Sequence, residues 1–126
     1  DQLVELCGLA YQGYNDIDDI IPSSHRSSDL DVRKPNLVVS LFAKQGLGRE
    51  DFHRWYISED NHRLSHWQQR IASSMVISQA NELVDQWLMQ AEDLILTLPP
   101  ALQSVTADLV NSVKKTTLVK SQCRIA

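Results

Sequence analysis

Apolar side chains recur at helical spacing through residues 58–98, and this run limits the possible folds more than any other feature of the sequence. Leu64, Trp67 and Ile71 lie three and four positions apart, which is the period of one face of an α-helix. Further on, helical spacing continues through Ala80, Leu83, Val84, Trp87, Ala91, Leu94 and Leu98. Pro99 and Pro100 end the pattern. A single helix over this range would be about 60 Å long, whereas a domain of this size has a radius of gyration of about 14 Å. We therefore expect a break at Ser73 and Ser74, although a protruding or oligomeric long helix would also explain the pattern.

The same spacing along the rest of the chain predicts an all-α fold. Gly and Pro residues fall at the junctions between the periodic segments, as is typical of helix ends. The alternation that a partner strand would need is absent from the sequence. We predict a helical bundle of four or five helices with a long early loop. The predicted helices cover residues 2–12, 35–46, 58–73, 75–98 and 100–122, and residues 49–57 are a candidate for another short helix.

The early loop is predicted over residues 14–34. This segment mixes carboxylates, serines and a proline, so its apolar spacing fails and we expect it to be either mobile or functional. Gly13 can end the helix before it, and Pro35 suits the first turn of the helix after it. Ser58 offers a capping hydroxyl for a later helix start.

Each predicted helix has an apolar face that we expect to point inward. In the first helix this face is formed by Leu3, Leu6, Cys7 and Ala10. In the last helix it is formed by Leu102, Val105, Leu109, Val113 and Thr116. Trp67 and Trp87 lie in register with aliphatic neighbours, so we predict that both anchor the core.

Length and charge exclude several classes of protein. The 126 residues fit a single domain covering residues 1–126. The chain begins without Met, which is consistent with a domain excised from a longer protein. A net charge of −4 argues against a nucleic-acid binder, and no apolar run is long enough to cross a bilayer. Cys7 and Cys123 have no metal-binding spacing and are expected to be buried thiols, and without a signal peptide we expect an intracellular, cytoplasmic location.

Residues 53–67, with the sequence HRWYISEDNHRLSHW, concentrate three histidines and two tryptophans. His62 and His66 are four positions apart, the spacing by which two histidines on one helix hold a metal ion. The glutamate of an HExxH site is missing, and Arg63 adds an opposing charge. A third ligand would have to come from His53, Glu59, Asp60 or the early acidic loop. The alternative is a solvated helix face whose rings anchor a core.

Two classes of function follow. The first is a non-catalytic α-helical interaction or assembly module that binds a protein partner or its own copy, with Trp87, Leu94 and Leu98 as interface residues. The second is a small metal-dependent enzyme or sensor centred on His53, His62 and His66. We predict no catalytic residue and no cofactor, because the sequence shows no nucleotide-binding or nucleophile motif. A metal titration with a stability readout separates the two classes.

Overall fold

The computed structural model describes residues 2–20, 29–45 and 49–125, and for residues 115–125 it describes only the backbone. Within these ranges the chain is all-helical and has no strand. The helices are α1 Gln2–Ile20, α2 Leu37–Lys44, α3 Glu50–Ser58, α4 Leu64–Ala72, α5 Val76–Ile95 and α6 Pro100–Ile125. The predicted fold class is confirmed, with six helices among the described residues instead of four or five.

The chain divides into two compact units. Unit 1 comprises Asp1–Tyr14 and Glu82–Ala126, and unit 2 comprises Asn15–Asn81. Helices α1 and α5 therefore contribute residues to both units. The single domain that the chain length suggests remains a prediction.

Helix α1 continues beyond its predicted end at residue 12 to Ile20. Tyr14, Ile17 and Ile20 are buried because they extend the inward spacing that starts at Leu3. A glycine inside a helix, here Gly13, costs about 1 kcal/mol relative to alanine, whereas each buried apolar side chain contributes about 1.5 to 3 kcal/mol. The free energy gained by burial exceeds the cost of the glycine, so the helix continues and the predicted loop over residues 14–34 is wrong for residues 14–20. Residues 21–28 of that loop lie outside the described residues.

The predicted break after α4 is confirmed. Helix α4 ends at Ala72 and α5 begins at Val76. The Ser73 hydroxyl donates to the Gln69 carbonyl at 2.6 Å, and the Ser74 hydroxyl donates to the Ile71 carbonyl at 2.6 Å. Serine side chains that bond the preceding turn in this way compete with the backbone ladder, which favours a helix end.

The predicted helix start at Ser58 is wrong. Ser58 is the last residue of α3, and its hydroxyl donates to the Trp55 carbonyl at 2.6 Å. The chain then passes through left-handed backbone at Glu59 and again at Arg63, with φ values of 59° and 70°. Helix α4 begins only at Leu64. The acids that follow Ser58 therefore lie in a turn instead of a first helical turn.

Asn36, one residue later than the predicted Pro35, caps the start of α2. Its side-chain oxygen accepts the N–H groups of Val38 and Val39 at 2.8 and 3.2 Å. Its amide nitrogen donates to the Asp16 carbonyl and to an Asp29 carboxylate oxygen, both at 3.1 Å. One buried side chain thus ties α2 to α1 and to the turn before it.

We expect Asn36→Ala to lower the free energy of unfolding by about 2 kcal/mol, since it removes a helix cap and leaves buried groups without partners. Asn36→Asp is the matched variant. It keeps the acceptor for the α2 N–H groups but loses the amide donor and places a second carboxylate beside Asp29. Urea denaturation should therefore find both variants destabilised, and a wild-type midpoint for Asn36→Asp would contradict the role of the amide.

An aromatic cluster forms the core of unit 2. The ring centres of Phe42 and Phe52 are 5.1 Å apart with their planes near perpendicular, and the Phe52 and Trp67 rings meet similarly at 5.2 Å. Trp55 lies 6.2 Å from Trp67. Edge-to-face pairs of this kind add about 0.5 to 1.5 kcal/mol each beyond burial. The buried aliphatic residues of unit 2 are Ile17, Ile20, Leu30, Val38, Val39, Ile71, Val76 and Ala80.

In unit 1 the inward face of α1 is confirmed, whereas the predicted faces of α5 and α6 are confirmed only in part. Leu3, Leu6, Cys7 and Ala10 are buried. On α5 the buried residues of this unit are Val84, Leu88, Ala91 and Ile95, whereas Leu83, Trp87 and Leu94 are half-buried, as is Leu98 after the end of the helix. On α6 Val110 and Val113 are buried, whereas Leu102, Val105 and Leu109 are 51%, 67% and 41% exposed. Thr116 lies outside the described side chains.

The error on α6 has a physical cause. Two overlapping stripes run along this helix, one through Leu102, Val105 and Leu109 and the other through Gln103, Thr106, Ala107 and Val110, and Val113 borders both. The apolar spacing selects the first stripe because it contains the larger side chains. Which stripe is covered depends on where the neighbouring helices lie, and the second is the more buried.

Candidate interaction surface

The three histidines of residues 53–67 lie at separate places. His53 is exposed on α3, and its Nε2–H donates to the Ala43 carbonyl at 2.9 Å. His62 lies in the turn before α4, and its carbonyl accepts the Trp55 indole N–H at 2.7 Å. His66 is on α4 with its ring 5.1 Å from that of Trp67.

The geometric premise for a metal pair is therefore wrong, because α4 begins after His62 and the two histidines do not share a helix. Among the described residues, no group of three or more His, Cys, Asp or Glu side chains lies close enough to hold a metal ion. The tryptophans of the segment instead pack inward, since Trp55 and Trp67 are both buried.

Arg33 organises the end of α3 in a way that sequence reasoning missed. Its guanidinium donates to the carbonyls of Tyr56, Leu30 and Asp60 at 2.9, 2.9 and 2.8 Å. The same group lies 3.9 Å from the centre of the Trp55 ring. A cation among the last carbonyls of a helix is favoured by the helix dipole. These contacts hold Arg33 in left-handed backbone with a φ of 57°.

A small apolar pocket lies between α2 and α3 in unit 2. Its volume is about 210 Å³, and Val39, Ala43, Phe52, Tyr56 and Ile57 form its apolar wall. Pockets that enclose a drug-sized ligand measure about 300 to 1,000 Å³. This pocket is below that range and is wide enough only for a single side chain or a small ring.

The predicted interface residues Trp87, Leu94 and Leu98 are all half-buried in unit 1. Leu94 lines a shallow groove of about 320 Å³ with Leu6 of α1. The most exposed large apolar side chain of α5 is another residue, Met89, which is 64% exposed. The role of the three predicted residues in an interface stays a prediction.

A second surface in unit 1 is more apolar and more exposed. We call Leu102, Val105 and Leu109 the α6 apolar strip. Beside it lies a groove of about 360 Å³, the α1–α6 groove, which is lined by Val4, Cys7, Gly8 and Tyr11 of α1 and by Leu109 and Ser112 of α6. Leu109 belongs to both features, so they form one continuous surface. The sequence signal for it was present, because Val4, Gly8 and Tyr11 lie four and three positions apart on α1.

Cys7 contributes to the wall of this groove but is not a reactive group. The side chain is buried, as predicted, and burial raises the pKa of the Cys7 thiol. The thiolate is the nucleophilic form of cysteine, so a raised pKa keeps the group protonated and unreactive at neutral pH. Cys123 lies outside the described side chains.

Comparison with known protein families, with curated proteins and with solved structures finds no match to this chain. Among the described residues, no helix is both long and apolar enough to cross a membrane.

Proposed function

We propose that this chain is a non-catalytic α-helical interaction module that acts through protein–protein contact, with self-association as its form. The observation that supports the proposal is the α6 apolar strip. Leu102, Val105 and Leu109 follow the spacing of a helix face made for burial, yet all three are about half exposed or more in the single chain. Exposed apolar surface with helical periodicity is typical of helices that pack against another chain.

The strip alone would give only weak association. Burying the exposed halves of three aliphatic side chains on each of two copies is worth about 5 kcal/mol. The loss of translational and rotational freedom on association costs about 4 kcal/mol or more. The strip alone therefore contributes a net of only about 1 kcal/mol, so a measurable dimer must bury further surface beside it. The range to examine lies between about 1 μM and 1 mM, where a net binding free energy of roughly 4 to 8 kcal/mol would be detected.

Sedimentation velocity or light scattering across that concentration range tests the proposal. The mass should rise from the 14.3 kDa of one chain towards that of two chains. Val105→Glu should hold the protein at the single-chain mass, because a carboxylate at this exposed position costs little in the folded monomer but is expensive to bury.

The matched control is Leu96→Glu. This leucine is 75% exposed in the turn after α5 and lies outside the strip and the groove, so its replacement should leave the association unchanged. A wild-type chain that keeps the single-chain mass throughout would contradict self-association, and equal association by Val105→Glu would contradict the role of the strip.

The metal-dependent alternative has its own test. A zinc- or nickel-dependent rise in melting temperature that His62→Ala or His66→Ala abolishes would favour it. The separate positions of His53, His62 and His66 give it no support. We also propose an intracellular location, because Cys7 is a free thiol and thiols persist in reducing compartments.

A further inference from the structure

We propose that the α1–α6 groove of one copy receives the α6 apolar strip of a second copy, so that two chains pair about a two-fold axis with each strip lying over the other chain's Gly8. This inference rests on the proposed self-association and names its surface. In such an isologous interface the same patch serves both chains, so it must carry both the protruding side chains and the groove that accepts them. The described surface of unit 1 has both.

Gly8 is the first line of support. It lies inside α1, where glycine is among the least favourable residues, and its backbone is exposed. No described atom other than its own helix neighbourhood lies within 4 Å of a Cβ placed on Gly8. Nothing in the described part of the chain therefore requires a missing side chain at this position. Close approach of another backbone is a common reason for glycine inside a regular element.

The form of the strip is the second line of support. Leu102, Val105 and Leu109 occupy positions i, i+3 and i+7 of one helix, the pattern by which a helix anchors itself in an apolar groove. Val4 and Tyr11 border Gly8 on α1 and are 57% and 48% exposed. They provide apolar walls on both sides of the glycine.

The lack of charge on this surface suits a second copy as the occupant. Two copies each carry a net charge of −4 and repel one another, so a surface for self-pairing must be poor in charge. The residues that line the groove are uncharged, and in residues 100–113 the only charged residue is Asp108. A partner recognised through its charge would find no ionic group to bind in the groove or on the strip.

The area of the surface agrees with a dimer. The exposed parts of the strip, Val4 and Tyr11 amount to roughly 400 to 500 Å², and apolar patches of that size are often functional. A standard interface buries about 800 Å² on each partner, and about 57% of that area is apolar. The patch thus supplies the apolar share of one side of a standard interface.

Variants at Gly8 provide the test. Gly8→Leu places a larger side chain in the groove, and its Cβ meets no described atom within 4 Å. Leucine favours a helix over glycine, so we expect a melting temperature at or above that of the wild type and association at least tenfold weaker by sedimentation. Gly8→Ala should raise the melting temperature by about 4 °C through helix propensity. Gln86→Leu places the same leucine at an exposed position of α5 outside the surface and should associate like the wild type.

Mixing the Gly8→Leu and Val105→Glu variants distinguishes strip-into-groove pairing from an indirect effect of either substitution on association. A Gly8→Leu chain keeps an intact strip, and a Val105→Glu chain keeps an intact groove. In the mixed pair, the intact strip enters the intact groove and forms one complete contact. The altered strip and the altered groove meet in the other contact, which therefore carries both defects. Neighbouring defects are not additive, and filling a groove costs little once Val105→Glu has already removed the strip that enters it. The mixture should therefore associate more strongly than either variant alone.

Two results would overturn the inference. If the wild type self-associates and Gly8→Leu associates equally well, the groove is not the interface, although the proposed function stands. If the wild type stays at the single-chain mass, self-association and the inference both fail.

Discussion

Trp67→Ala should lower the free energy of unfolding by about 3 to 5 kcal/mol, the range found for removing a large aromatic side chain from a core. Trp67 is 2% exposed, and its ring lies 5.2 Å from that of Phe52 and 6.4 Å from that of Phe42. The guanidinium groups of Arg63 and Arg70 lie 5.7 and 5.3 Å from the same ring. Truncation therefore leaves a cavity at the centre of the aromatic cluster and removes the partner of two cations.

Trp67→Phe is the informative companion to this variant. The indole N–H of Trp67 is buried and has no hydrogen-bond partner among the described residues, so phenylalanine gives up no hydrogen bond. We expect it to cost only about 1 to 2 kcal/mol, for the smaller ring. Trp55→Phe should lower the free energy of unfolding more than Trp67→Phe does, because it also removes the 2.7 Å hydrogen bond from the indole N–H to the His62 carbonyl.

Urea denaturation followed by circular dichroism measures these differences without relying on the fluorescence of the residue that is replaced. Trp87→Ala is the control from the other unit. Trp87 is half-buried, so its truncation should cost about 1 to 2 kcal/mol, which is less than its predicted role as a full core anchor requires. A loss below about 1 kcal/mol for Trp67→Ala would contradict the central place of this ring.

Arg33→Lys should lower the free energy of unfolding by about 2 to 4 kcal/mol even though it keeps the charge. The planar guanidinium bonds carbonyls of Leu30, Tyr56 and Asp60 at once. A lysine ammonium is a point charge that cannot reproduce this fork or stack on Trp55. Charge-assisted hydrogen bonds contribute about 1.5 to 3 kcal/mol each, and we discount their sum because the site is partly open to solvent.

Arg33→Gly separates the side chain from the backbone. Glycine adopts the left-handed conformation at this position without strain, which for other residues costs about 1 to 2 kcal/mol, so the variant should be less destabilised than Arg33→Ala. The control is Arg54→Ala. Arg54 forms a 2.7 Å ion pair with Asp51, but both side chains are largely exposed, and such pairs contribute about 0 to 1 kcal/mol. Equal thermal stability of Arg33→Lys and the wild type would refute the carbonyl-binding role.

The histidine segment shows that the spacing of two residues does not by itself place them on one helix face. The pattern His62-x3-His66 predicts a shared helix face only if the helix covers both residues, and its start depends on the turn around Glu59 and Arg63. Left-handed backbone at these two positions is maintained in part by Arg33, which contacts Asp60 from a distant part of the chain. A distant arginine thus contributes to the turn that separates the two histidines.

The sequence by itself determined the features that depend on neighbours along the chain. These are the helical class, the end of α4 at Ser73 and Ser74, and the inward face that begins α1 at Leu3. Each arises from side chains within one or two turns of one another, where spacing and local hydrogen bonds suffice.

Only the tertiary structure decided which stripe of α6 is covered, which carbonyls accept hydrogen bonds from Arg33, and whether Gly8 faces open space. The reason is that each depends on groups brought together from distant positions. Two stripes of similar period compete on α6, and the free energy of burial is gained by whichever stripe meets a neighbouring helix. That choice leaves Leu102, Val105 and Leu109 exposed beside Gly8.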